Sequence, residues 1–204
     1  MNGIILTQII VFGYNSAMNT ELLNLLKTRR SVLSKNLSEP GPNKEQLNTI
    51  LEIATRVPDH RKLEPWRFIV IQSDARAKLG KQFCKIKLND CDLTDDQIQA
   101  ETNRYNHAPV VIAVVFSPIE HKTPVFEQLL SCGAVCQHIN LASLALGFNS
   151  QWVTNWCAFD KTTQKELGLK PHESIAGFVH IGTATCVPND RQRPNLTNKI
   201  SYYK

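Results

Sequence analysis

PVFEQLLSCGAVCQHINLASLAL, residues 124–146, is the stretch that decides the fold. Leu129, Leu130, Val135, Ile139, Leu141, Ala142, Leu144 and Ala145 recur at helical spacing, but on more than one side. A helix that is apolar nearly all round is buried in a core or at a subunit interface. Gly147 ends it, because glycine accepts the left-handed backbone of a helix C-terminus. Just upstream, VVIAVVF at 110–116 is an unbroken, mostly β-branched run. Such a run reads as a central strand buried on both faces. A long buried helix beside a buried central strand makes an α+β or α/β sandwich.

The flanking segments fit the same architecture. Pro65 and Trp66 lead into a strand at 67–72, residues 175–181 read as a further strand, and 150–156 as a short strand or turn bearing two tryptophans. Asn43 and Gln46 form a capping box. Leu47, Ile50, Leu51 and Ala54 follow on one helical face, and Pro58 stops that helix. Residues 74–105 are polar and helical in pattern, with a break at 89–93, and Asp160 caps a short helix ending at Gly168. Residues 20–30 read as a leading helix with Leu22, Leu25 and Leu26 on one stripe. Arg29 falls on that same stripe: either it reaches solvent from the last turn, or it turns inward to an anion. Residues 182–204 form a polar extended tail suited to wrapping a partner. Residues 1–17 carry no charge and lack the basic flank of a secretory signal. Met18 precedes a good helix start in Asn19-Thr20-Glu21. The expectation is an N-terminal extension over 1–17, translation from Met18, and a single domain over 18–204.

The 204 residues are 42% hydrophobic and 20% charged, which excludes disordered, collagen-like and fibrous classes. A formal charge of +5 suits a small anionic ligand. The basic residues are dispersed, so no nucleic-acid partner is expected. No apolar run is long enough for a membrane helix, so no membrane partner is expected either. Six cysteines without a C-x-x-C motif read as reduced thiols in a cytoplasmic protein. Cys132 and Cys136 stand a turn apart, which suits small packing residues better than a shared metal, and no metal site is expected.

G-x-G-x-x-G, G-x-x-x-x-G-K-[ST], G-x-S-x-G and H-E-x-x-H are all missing, which removes Rossmann, P-loop, hydrolase and zincin chemistry by motif. What remains is polar residues at element ends. Arg29-Arg30-Ser31 offers two guanidinium forks and a hydroxyl, a combination that fits a phosphate. Arg56 and His60 follow the second helix, and Pro65-Trp66 enters the first strand.

In order, these pieces resemble the nitroreductase family of FMN-dependent oxidoreductases over about residues 18–182. The signs are the leucine-rich helix into Arg29-Arg30-Ser31, then Arg56-Val57-Pro58-Asp59-His60, then Pro65-Trp66 and a strand. His121-Lys122 and Glu127-Gln128 at the long helix, Gly147-Phe148 with Trp152, and the strand from Gly177 to Gly182 complete the set. The spelling P-D-H-x-x-x-x-P-W is similar to the short YdjA-type branch. The resemblance implies an α+β sandwich with a central mixed sheet flanked by helices, in an intertwined homodimer with two FMN sites at the interface. Arg29, Arg30 and Ser31 would hold the phosphate and ribityl end of FMN. Arg56 and His60 would approach the flavin from the partner chain. Trp152, Val153 and Thr154 would lie along the isoalloxazine edge, and residues 142–147 would meet the nicotinamide cofactor. Arg191 or Arg193 would reach the phosphate.

Two departures stand out. Asp59-His60 replaces the small polar pair of many members, and Glu64 replaces a glutamine before Pro-Trp. An acid near a flavin disfavours an anionic reduced ring, so substrate preference does not carry over. The resemblance implies an NAD(P)H-dependent reductase of nitroaromatic or quinone-like acceptors, working by ping-pong hydride transfer, with His60 as a proton donor. Two alternatives stay open: the same flavin-binding dimer with a different flavin reaction, and a non-enzymatic sensor or carrier.

Overall fold

The computed structural model describes residues 18–204, so the extension expected over 1–17 lies outside the described residues. In chain order the elements are α1 (Thr20–Thr28), β1 (Leu37–Ser38), α2 (Lys44–Ala54), β2 (Trp66–Gln72), α3 (Asp74–Leu88) and α4 (Asp95–Asn103). Then follow β3 (Val110–Phe116), α5 (Val125–Ala145), β4 (Asn149–Val153), α6 (Lys161–Glu166) and β5 (Ser174–Ala184).

β5 is the hub of the sheet and pairs with β1, β3 and β4, while β2 pairs with the other edge of β3. The expected mixed sheet is corrected here: every pairing among the described residues is antiparallel. Antiparallel pairing follows from β2 and β3 running opposite ways against one another and β5 returning antiparallel on β3.

β3 is buried along its whole length because helices cover both faces of the sheet. Side chains alternate across a strand. Val110, Ile112, Val114 and Phe116 therefore pack with Leu47, Ile50 and Ala54 of α2 and with Cys132, Val135, Cys136 and Ile139 of α5. Val111, Ala113 and Val115 pack on the opposite face with Phe83 and Ile86 of α3, Tyr105, and Phe178 of β5. The α+β class and the continuous apolar run thus have one physical cause.

The helix signals act as expected at most ends. Asn43 and Gln46 close their capping box, Asp160 accepts from Thr163 N–H, and Gly147 takes φ 85 just past α5. α1 differs. It stops at Thr28, and Arg29 turns to φ −51, ψ 138, so Arg29 is not on the leucine stripe. None of the residues of α1 is buried, and Leu22 and Leu26 stand open. α5 is also only half covered: Phe126, Leu129 and Leu130 are exposed, while its inner face is solid core. Among the described residues, no helix is long and apolar enough to cross a membrane.

Candidate functional site

The break after α1 sends Arg29, Arg30 and Ser31 along the end of β4. Val32 is buried, and its N–H donates to Ser150 O at 3.2 Å. Ser34 N–H donates to Gln151 Oε1 at 2.6 Å. From the far end of the chain the tail brings Arg191 and Arg193 to the same place. Arg29, Arg30, Ser31, Arg191 and Arg193 line one cavity of about 70 Å³. Beside it, Asp190 lies 3.7 Å from Arg30 Nη1 and 2.9 Å from Arg193 Nη2. Arg30 Nη1 is buried and has no hydrogen-bond partner within the protein. A buried, unsatisfied guanidinium nitrogen is costly, and an oxyanion with two or three free oxygens relieves that cost best. A second concavity of about 450 Å³ shares Arg29 and Arg30 and reaches Leu144, in the segment 142–147, and the tail at Val187 and Pro188.

Arg56 and His60 stand elsewhere in the same chain. They follow α2 in a loop fastened to α5. Ser131 Oγ donates to Pro58 O at 2.6 Å, and His60 Nδ1 lies 2.7 Å from Glu127 Oε2. Within the loop, Glu64 N–H donates to Asp59 Oδ2 at 2.8 Å. His60, Glu127, Pro58, Leu130, Ser131 and Ala134 line a cavity of about 350 Å³ that has no residue in common with the arginine cavity. Arg56 is exposed and forms no ion pair among the described residues. One chain therefore brings Arg29, Arg30 and Ser31 together, and keeps Arg56 and His60 apart from them.

The expected row Trp152-Val153-Thr154 is divided by the pleat of β4. Trp152 donates from Nε1 to Ala176 O at 3.2 Å and lies over Gly177, where any Cβ would collide with its indole. Val153 faces the opposite side and lines a concavity with Lys35, Arg104, His107 and Gln151. Thr154 is half-buried beyond the strand end.

Several charged groups were not singled out by sequence reasoning. Burial of Glu101 opposes its ionisation, but hydrogen bonds from Arg104, Lys87 and Trp156 outweigh this and hold its carboxyl down at about 2. Arg67, bidentate on Glu173, holds that buried carboxyl down at about 2 as well. His180 is fully buried, stacks on Tyr105, and has no partner at either ring nitrogen. Desolvation, with Arg104 and His107 nearby, pulls it down to about 4. The Glu101–Arg104 pair was visible as an i, i+3 spacing. Glu127 with His60, 67 residues apart, carried no local signal. Among the described residues no group of three or more metal-ligating side chains converges.

The comparisons with known proteins meet this geometry. The nitroreductase family matches residues 26–183. A Haemophilus influenzae protein named as an NAD(P)H nitroreductase is 35% identical over 165 residues, covering 80% of this chain and 88% of the relative. The protein of Escherichia coli K12 named as the NAD(P)H nitroreductase YdjA is 32% identical over 164 residues, with the same coverage. A nitroreductase from Desulfovibrio desulfuricans solved in complex with FMN superposes with a TM-score of 0.70 at 20% identity, over 92% of this chain and 99% of that one. The α+β sandwich is that of the nitroreductase fold, and this chain belongs to the nitroreductase family, on its YdjA-like side.

Proposed function

We propose that the protein is an FMN-dependent oxidoreductase that takes hydride from NAD(P)H and passes it to nitroaromatic or quinone-like acceptors. The observation that carries this reading is the cavity of Arg29, Arg30, Ser31, Arg191 and Arg193, with the buried Arg30 Nη1 lacking a hydrogen bond and only the exposed Asp190 carboxylate near it, at 3.7 Å. That donor set fits a phosphate monoester such as the end of FMN. Bound FMN supplies a ring that accepts and returns hydride, so no side chain has to be a nucleophile.

The chain's own residues then have positional roles. Arg29, Arg30 and Ser31 hold the phosphate and ribityl end, with Arg191 and Arg193 closing over it. The backbone of Trp152, Val153 and Thr154 flanks the isoalloxazine edge, since the pleat of β4 turns the Trp152 and Val153 side chains to opposite sides, and residues 142–147 border the nicotinamide side. Arg56 and His60 belong to the site of the partner chain. Their separation from the arginine cavity supports this, as does the open apolar surface of α1 and α5, which a second copy would cover. NAD(P)H and the oxidant use one place in turn, and His60 donates a proton to the acceptor. A cytoplasmic location belongs to the same proposal, and six unpaired cysteines support it.

The test is anaerobic addition of NADH or NADPH to the FMN-loaded protein, then a quinone or nitroaromatic. The expected result is rapid bleaching of the flavin and full recovery of colour on adding the acceptor. Bleaching far slower than turnover contradicts the reading and favours a flavin carrier.

A further inference from the structure

We propose that Glu127 is a positioning residue for His60: it takes the imidazole Nδ1–H and so leaves Nε2 as the atom that hands over a proton. The use of that proton rests on the flavin-reductase reading above, whereas the His60–Glu127 arrangement does not.

Geometry carries the argument. An ionised carboxylate only accepts hydrogen bonds. At 2.7 Å from Glu127 Oε2, His60 Nδ1 must therefore carry the hydrogen. The loop that presents His60 is fastened on both sides of it, by Ser131 on Pro58 O and by Asp59 on Glu64 N–H. Arg61, Lys62 and Glu64 all sit at positive φ, 70, 54 and 50. Non-glycine residues hold such backbone only where their surroundings over-determine it, and such positions cluster at functional sites. In the cavity next to His60, Pro58, Leu130 and Ala134 have no side-chain polar atom. Ser131 Oγ is occupied by Pro58 O and Glu127 Oε2 by Nδ1, which leaves His60 Nε2 and Glu127 Oε1 without an assigned partner on that wall, and of the two Nε2 is the atom that carries a proton in the imidazolium form.

The proton balance is complete. A quinone that gains one hydride, derived from NAD(P)H, becomes a monoanion and needs one proton to become the hydroquinone. His60 in its imidazolium form gives that proton from Nε2 and is left neutral, its remaining hydrogen on Nδ1 against Glu127. Solvent then restores the Nε2 proton. Glu127 neither gains nor loses a proton in the cycle.

The experiment combines ring-nitrogen NMR with half-reaction kinetics. Protein with 15N-labelled histidine, without flavin and at a pH where His60 is neutral, is compared with Glu127→Gln and Glu127→Ala. Wild type and Glu127→Gln, which keeps an acceptor oxygen, are expected in the Nδ1–H form. Glu127→Ala is expected to revert to the Nε2–H form of free imidazole. Glu127 is 44% exposed at its side chain, so both variants should fold. In stopped flow with the FMN-loaded protein, Glu127→Ala should slow reoxidation by a quinone about 10- to 100-fold, with reduction by NAD(P)H within about two-fold of wild type and partial rescue in Glu127→Gln. An Nε2–H wild type overturns the proposal, and so does an equal loss in both half-reactions. A wild-type protein that retains no FMN instead overturns the flavin reading, and the tautomer still decides the role of Glu127.

Discussion

At the scale of single residues, two side chains concentrate the consequences. Arg30 combines a buried Nη1 that makes no hydrogen bond with a place in a four-arginine cavity. A hydrogen bond to a charged group contributes about 1.5–3 kcal/mol. Arg30→Ala should therefore weaken FMN binding roughly 10- to 100-fold by fluorescence titration, with Arg30→Lys intermediate because lysine lacks the bidentate fork. His180 acts on stability instead. Its folded value of about 4 lies below the ordinary imidazole value of 6.5. As pH falls from 6.5 towards 4, the unfolded chain takes up a proton that the folded chain refuses, so stability falls with pH across that window. His180→Phe preserves the stack on Tyr105 and should remove this slope, with stability at neutral pH unchanged or higher. Denaturant titrations at pH 7, 5.5 and 4.5 check both statements. Arg29, Arg30 and Ser31 were legible in the sequence as one cluster because they are adjacent, and they line one cavity. His180 was not, because nothing local shows that a strand histidine lies under Tyr105.

At the scale of elements, the sheet and its helices were largely readable, since their signals are periodic and local. The alternating burial of β3, the capping box of α2 and the glycine after α5 each follow from a few neighbouring residues. The end of α1 was not readable: the leucine stripe suggests a helix running past Arg29, yet the chain turns at Arg29 so that Val32 can bond to Ser150. The antiparallel sense of the sheet depends on how distant strands meet, and no local pattern encodes it. Two contacts between elements make predictions. Gly80 in α3 packs so closely on α4 that a Cβ there would collide with Thr102 O. Gly80→Ala should destabilise the protein by about 1–3 kcal/mol, despite alanine's better helix propensity, and thermal unfolding reads this directly. Arg67 of β2 holds Glu173 at the entry to β5. With its carboxyl held at about 2, Glu173 stabilises the fold fully above the ordinary carboxylate range and progressively less as pH falls towards 2. Glu173→Gln should lower stability at pH 7 and flatten that acid limb.

At the scale of the whole molecule, the candidate site residues of one chain fall in two places. The arginine cavity and the His60 cavity are separate, and no residue of α1 is buried among the described residues, so its leucine stripe stands open there. The proposed dimer, in which each chain lends Arg56 and His60 to the other, accounts for both features. Light scattering on the eluting protein should give twice the 23.0 kDa chain mass. A Leu26→Glu, Leu130→Glu double variant should give the monomer and lose flavin with it. The tail was legible as polar and extended, but the meeting of Arg191 and Arg193 with Arg29 needed three dimensions. The central claim is that this assembly holds FMN, and the visible absorption spectrum of the purified protein tests it most directly. It is recorded as isolated and again after incubation with FMN and desalting. The account predicts flavin bands that survive desalting, at close to one FMN per chain. A protein that remains colourless after both steps contradicts it.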